Sequence, residues 1–199
     1  IAQLADDTAW VADWKGERKL LVAGSTWPED EEVLGEAMKN LDEGHLLLLV
    51  PHEIDGNHLA LIRKRSGMSS SLRFLSEISG AADRSIRTIV VDRIGLLSKL
   101  YRHADYAYIG GGFGKGIHNT LEAAVYGLPL FFGPNYGKFR EAEELIEYGA
   151  AFPISNSDEL IRKVKHLDID DESMKSCEES AAEYVSGRTG ATMRIMNAL

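Results

Sequence analysis

The run His45–Pro51 (HLLLLVP) is apolar at nearly every step and far too short to cross a bilayer. No other feature limits the fold of this chain so tightly. A half-buried helix or strand would show polar residues at a period of 3.6 or 2. Continuous apolarity over a strand-sized stretch needs burial on both faces, as in a parallel sheet covered by helices. Lys19–Gly24 (KLLVAG), Arg87–Asp92 (RTIVVD), Asp105–Gly110 (DYAYIG), Leu128–Gly133 (LPLFFG) and Ala150–Ile154 share this character, while Arg73–Ile78 reads equally as strand or loop. Helical stretches lie between them. They run from Pro28 to about Leu41, over Ile54–Ser66 and Ile94–His103, from about Gly116 to Tyr126 with Gly127 as the closing residue, and over Phe139–Tyr148. Ser66–Ser71 reads as loop, an opening helix reaches Trp14, and Ser157–Leu167, Glu172–Val185 and Thr189–Leu199 follow as helices. Strands alternating with helices of about ten residues mean βαβ units. The expected fold is α/β: a single doubly wound parallel sheet over residues 1–199, with 1–18 as an edge helix and 170–199 as C-terminal helices.

Composition narrows the function. The 199 residues suit one domain. A net charge of −9 argues against a nucleic-acid partner, which needs clustered Lys and Arg, but not against a small anion held by backbone N–H groups. The single Cys177 excludes an intrachain disulfide and a cysteine-rich zinc site; it is expected to be a small core residue. No Asp-x-Asp element or histidine cluster offers a convincing metal site, so neither metal nor cofactor is expected.

In open α/β sheets ligands sit at the carboxyl ends of the strands. Those ends carry Gly24-Ser25-Thr26, Pro51-His52-Glu53, Asp92–Gly95, Gly110–Gly116 and Gly133-Pro134-Asn135. The densest stretch is Ile109–Glu122, IGGGFGKGIHNTLE. It fails the P-loop pattern, because Gly114-Lys115 is followed by Gly116 and Ile109 stands where the first glycine belongs. It fails the dinucleotide pattern too, since counting from Gly110 reaches Lys115 in place of the third glycine. What remains is a strand, a glycine-rich turn and a helix from near Gly116, whose free N–H groups could hold phosphate. A tight turn that merely needs small residues explains the glycines equally well. Asn119 and Glu122 stand three apart on one helix face. A carboxylate there can accept both ribose hydroxyls; the plainer readings are a local cap for Asn119 and a dipole partner for Glu122. Of the histidines, His52 and His118 occupy strand-end motifs, while His45, His58, His103 and His166 read as surface or half-buried. The acidic run Glu29–Glu32 reads as a solvated helix start, Trp10 and Trp14 as cover for the domain edge, and Tyr101, Tyr106 and Tyr108 as core.

The run GGG-x-G-K-G-I-H-N-T-L-E, followed by A-A-x-x-G-L-P-L-x-x-G-P, resembles the donor-binding half of GT-B-type glycosyltransferases, and more narrowly the bacterial 3-deoxy-D-manno-octulosonic acid (Kdo) transferases. The resemblance runs in unbroken order from about Leu20 to Ile154, through Gly24-Ser25-Thr26, Pro51-His52, Asp92–Leu97, Ala104-Asp105, Gly110–Gly112, Gly116, His118–Glu122 and Gly133-Pro134. It departs from the family at Pro51-His52-Glu53-Ile54, where Pro-Arg-His-Pro is usual. It departs again at Leu96 for Glu, Arg93 for Thr and Lys138 for Asn. The resemblance implies a Rossmann-like domain that binds CMP-Kdo. Ser25, Thr26, Gly111 and Gly112 would belong to the donor site, Pro51 and His52 would lie beside the nucleotide, and Ile94, Gly95 and Leu96 would line the base pocket. His118, Asn119, Thr120, Leu121 and Glu122 would hold ribose and phosphate. The family's general base, a Glu, lies with the acceptor site and membrane anchor in an N-terminal domain. The chain, which opens in mid-helical pattern, is therefore expected to be a C-terminal donor-binding domain without a catalytic residue, inactive alone. Through the other half it would meet a lipid A precursor at the cytoplasmic face of the inner membrane. A UDP-using GT-B transferase or sugar-nucleotide epimerase, and a non-catalytic nucleotide-sugar binding module, are the alternatives.

Overall fold

A computed structural model describes residues 7–65, 71–80 and 83–188. In chain order the elements are α1 (Trp10–Lys15), β1 (Lys19–Thr26), α2 (Pro28–Asn40), β2 (His45–Pro51), α3 (Gly56–Arg65), β3 (Leu72–Phe74), β4 (Thr88–Val90) and α4 (Leu97–Leu100). They continue with β5 (Tyr106–Ile109), α5 (Leu121–Ala124), β6 (Leu130–Phe132), α6 (Arg140–Glu147), β7 (Ala151–Pro153), α7 (Ser157–Ile169) and α8 (Asp171–Arg188). The seven strands form one sheet in the order β3-β4-β2-β1-β5-β6-β7, and every pairing is parallel. Every residue of β2 is buried, as its unbroken apolarity requires.

Successive side chains of the central strands feed opposite faces. Leu21, Ala23, Leu47 and Leu49 pack with Leu34 and Met38 of α2, Ile62 of α3 and Leu160 and Val164 of α7. Leu20, Val22, Leu46 and Leu48 pack with Val11 and Trp14 of α1, Leu100 of α4, Ala123 of α5, Leu145 of α6 and Tyr184 of α8. Each such leucine contributes about 1.5–3 kcal/mol by leaving water. The sheet is thus wound in two directions from its middle. The chain leaves β1 toward β2 on one side and returns later to β5 on the other, which puts the switch point at the carboxyl ends of β1 and β5.

Several elements differ from expectation. The helix expected from Gly116 begins only at Leu121. Gly111 and Gly116 have φ of 93° and 131°, values no right-handed helix contains, and the N–H groups of Gly114 and Gly116 both return to the Gly111 carbonyl. Asn119 then takes the Leu121 N–H at 3.0 Å, and a helix can start. Gly95, at φ 85°, likewise delays α4 within the stretch expected to be helical from Ile94, and Tyr101–His103 tightens into a 3-10 turn. The ambiguous Arg73–Ile78 resolves into β3 and a 3-10 turn over Leu75–Glu77, whose Glu77 accepts the Phe74 N–H. The expectations for residues 1–6, 66–70 and 189–199 lie outside the described residues.

The acidic start of α2 is solvated only in part: Glu29 and Glu32 are exposed. Asp30 and Glu31 are only 1% and 6% exposed. Pro28 starts the helix, and its first turn lies over the ends of β1 and β5, so these carboxylates point into the sheet edge. His45 and His58, expected at or near the surface, are each only 7% exposed. His45 lies between Asp42 and Asp168, at 2.8 Å from each, and His58 meets Glu31 at 3.0 Å.

Candidate functional site

The site is built where the loops after β1, β2 and β5 meet. The loop after β5 also touches the backbones of the loops after β1 and β6, and glycine makes this possible. A Cβ on Gly110 would stand 2.2 Å from the Ser25 carbonyl oxygen, and one on Gly112 would stand 2.5 Å from the Gly133 nitrogen. These glycines seat one loop against another; their missing side chains leave no room for a ligand. Ser25 itself has φ 54°, a turn that aims the chain from β1 into α2.

Asp30 holds this junction from below. Its carboxylate accepts the Tyr108 hydroxyl at 2.7 Å, the Gly111 N–H at 2.8 Å and the Trp27 N–H at 2.9 Å, and so ties β5, the glycine turn and the start of α2 together. Burial raises its pKa above the ordinary carboxylate value, against the opposing pull of these three donors. A carboxyl raised in this way favours folding most where it is protonated, and that contribution is lost as pH rises through the raised value. Asp30's own contribution to stability is therefore expected to fall with pH over a window beginning above 3.8, and Asp30→Asn, which lacks it, to show a more positive slope of stability against pH than the parent, at a general cost of about 1–3 kcal/mol for facing donors with an amide N–H. Urea unfolding at a series of pH values reads both slopes; equal slopes would exclude this contribution.

Above the junction lies a stack of rings. His52 stacks against both Trp27 and His118, with centroids 4.7 and 4.5 Å away, and Trp27 Nε1 donates to His118 Nε2 at 3.1 Å. The His52 N–H is held by the Thr26 carbonyl, and the His118 N–H by the Gly110 carbonyl. Trp27, Glu29, Gly114, Lys115, Gly116 and His118 line a pocket of about 230 Å³.

Beyond His118, Asn119 Oδ1 takes the Leu121 N–H, and its Nδ2 donates to Glu122 Oε1 at 3.2 Å. Glu122 is exposed, and among the described residues its Oε2 receives no protein donor. A helix of four residues has little dipole for Glu122 to complement. An oriented, half-satisfied carboxylate facing solvent is a ready acceptor for hydroxyls.

The structure brings together Ser25, Thr26, Pro51, His52, Gly111, Gly112 and the run His118–Glu122. Not all of these present a functional group. The Thr26 hydroxyl is committed to Glu31, at 3.1 Å, and Pro51 is buried. Thr120 is fully buried with its hydroxyl unpartnered, while Leu121 is exposed. Ile94, Gly95 and Leu96 follow β4, and α4 then packs its Leu97 against Gly24. Ile94 is 87% exposed, whereas Leu96 is turned into the core. Among the described residues, Glu53, Asp55 and His58 form one group with ligand-type atoms within 4.8 Å of one another. His58 is tied through Nε2 to Glu31, and the two carboxylates are exposed, as acidic surface groups commonly are.

Trp27 is not singled out by the sequence reading, and Asp30 enters it only within the acidic run Glu29–Glu32. The signal was present: Trp27 directly follows the Gly-Ser-Thr turn, and Asp30 sits at the third helical position, where a side chain can reach back to the N-cap N–H.

No protein-family model matches the chain. Curated relatives do. The 3-deoxy-D-manno-octulosonic acid transferase of Rickettsia felis is 30% identical over 175 residues, covering 84% of this chain and 37% of the relative. The enzyme of the same name from Aquifex aeolicus is 32% identical over 158 residues, or 77% of this chain and 42% of that protein. The chain thus spans about two fifths of the length of these relatives. Among solved structures, the C-terminal CMP-Kdo binding domain of WaaA from Acinetobacter baumannii superposes with a TM-score of 0.75 at 20% identity, covering 89% of this chain and 98% of that one. The doubly wound sheet is therefore the fold of that domain.

Proposed function

We propose that this chain, a homologue of the bacterial Kdo transferases, is the donor-binding half of a glycosyltransferase that moves Kdo from CMP-Kdo to a lipid A precursor in lipopolysaccharide biosynthesis. The observation that carries the reading is the Asn119–Glu122 pair, held at the sheet's switch point beside the His52–His118 stack. In this reading Glu122 Oε2 accepts ribose hydroxyls, and Asn119 fixes the carboxylate while its amide faces the phosphate. The stacked rings close one side of the nucleotide. Transfer breaks the bond between Kdo and the CMP phosphate, and the departing phosphate is stabilised by donors already in place. The base that takes the acceptor's proton belongs to the other half of the enzyme, so this chain alone carries out no transfer.

No helix among the described residues is long and apolar enough to cross a membrane. A net charge of −9 offers no attraction to anionic lipid, so placement at the cytoplasmic face of the inner membrane is assigned to the other half. Calorimetric titration of this chain with CMP and UDP tests the donor. CMP is expected to bind at least about tenfold more tightly, equivalent to ~1.4 kcal/mol. Tighter UDP binding would hand the site to a UDP-sugar enzyme.

A further inference from the structure

We infer that Trp27 is a positioning residue that locks His118 as its neutral Nδ1–H tautomer, so that the pocket beside the glycine turn offers the donor's phosphate a neutral N–H instead of an imidazolium. The phosphate assignment rests on the donor-site reading above; the tautomer assignment does not.

The geometry leaves one arrangement of protons. The indole N–H of tryptophan only donates. At 3.1 Å from it, His118 Nε2 must be the acceptor and carries no proton. The proton of a neutral ring is then on Nδ1, because the bond made by one ring nitrogen decides the state of the other. Protonating the ring would turn two N–H groups against each other and break the contact. Among the described residues, Nδ1 has no protein partner, so its proton is available to a ligand.

The surroundings act in the same direction. Burial, together with His52 stacked on the ring, holds His118 below the ordinary imidazole range, and Asp30 opposes them. Glu29 and Lys115, of opposite charge, share the pocket with the ring. At about 230 Å³ the pocket suits a phosphate group; whole drug-sized ligands occupy about 300–1,000 Å³. His118 directly precedes Asn119 and Glu122, so a phosphate here would be continuous with a ribose held by Glu122.

Nitrogen-15 NMR of the histidine rings in the ligand-free chain tests the lock, with His118 assigned by the loss of its signals in His118→Gln. At pH 7.5 the parent is expected to show Nδ1 protonated and Nε2 bare. Trp27→Phe keeps a ring on His52 but has no N–H, and its His118 should shift mainly to the Nε2–H form. A parent ring protonated on Nε2, or an unchanged tautomer in Trp27→Phe, overturns the lock. CMP titrations at pH 8 and pH 6, each referred to His118→Gln to cancel the titration of His52 and of CMP itself, test the phosphate. The parent should change less than about twofold, whereas Trp27→Phe, freed to protonate, should bind CMP about threefold to tenfold more tightly at the lower pH. A flat profile in Trp27→Phe overturns the phosphate contact. Absence of CMP binding alongside the expected NMR result overturns the donor reading and the phosphate contact while leaving the tautomer standing.

Discussion

Replacing Glu122 with alanine is expected to weaken CMP binding by about tenfold to a hundredfold and to change stability by no more than about 0.5 kcal/mol. The side chain is exposed, so its loss opens no cavity. Its one hydrogen-bond partner among the described residues is Asn119 Nδ2 at 3.2 Å, which aims the carboxylate without using Oε2. Hydroxyl bonds to a charged acceptor contribute about 1.5–3 kcal/mol, the source of the predicted factor. 2′-Deoxy-CMP should bind the parent less well than CMP does and lose little more in Glu122→Ala, because the hydroxyl and the carboxylate belong to one interaction. The competing account makes Glu122 a dipole partner of α5, contributing about 0.3–1 kcal/mol to stability and nothing to binding. Titration of both proteins with both nucleotides separates the two. A variant that melts lower yet binds CMP as tightly as the parent removes the ribose role.

The largest effect on stability is expected at Gly110. An added Cβ would stand 2.2 Å from the Ser25 oxygen and 2.6 Å from the Thr26 Cα, with no flexible side chain among its nearest neighbours to move aside. The same residue donates its N–H to the Gly24 carbonyl at 2.8 Å, so separating the loops also strains the pairing of β1 with β5 in the middle of the sheet. Gly110→Ala should cost about 3 kcal/mol and lower the melting temperature by about 6–12 °C. Gly114, in the same turn, is the control. Among the described residues the only atom within 4 Å of its added Cβ is the Gly111 oxygen at 3.7 Å, an ordinary contact, so Gly114→Ala should stay within about 1 kcal/mol of the parent. Thermal unfolding of the two variants decides the matter. If Gly110→Ala melts with Gly114→Ala, the loops are not packed as described.

The order of strands and helices could be read from His45–Pro51 and its counterparts because burial on both faces leaves a continuous apolar trace. The carboxyl-edge motifs could be read for a related reason. Turn residues such as glycine report local backbone geometry, and the order His118–Glu122 carries a recognisable pattern in adjacent positions. Boundaries were less legible. The delay of α5 to Leu121 depends on positive φ at Gly111 and Gly116, which glycine permits but does not demand.

By itself, then, the sequence determined the parallel α/β class and pointed to the carboxyl edge and the Asn119–Glu122 pair on which the proposed site rests, all properties of short contiguous runs. Only the tertiary structure decided that Asp30 and Glu31 are buried, that Gly110 and Gly112 serve loop packing, and that Trp27 reaches His118 across 91 positions of chain. A run of acidic residues has the same composition whether it faces water or a sheet edge. What separates the two cases is which strands lie side by side, and the pairing of β1 with β5 is made between residues more than eighty apart.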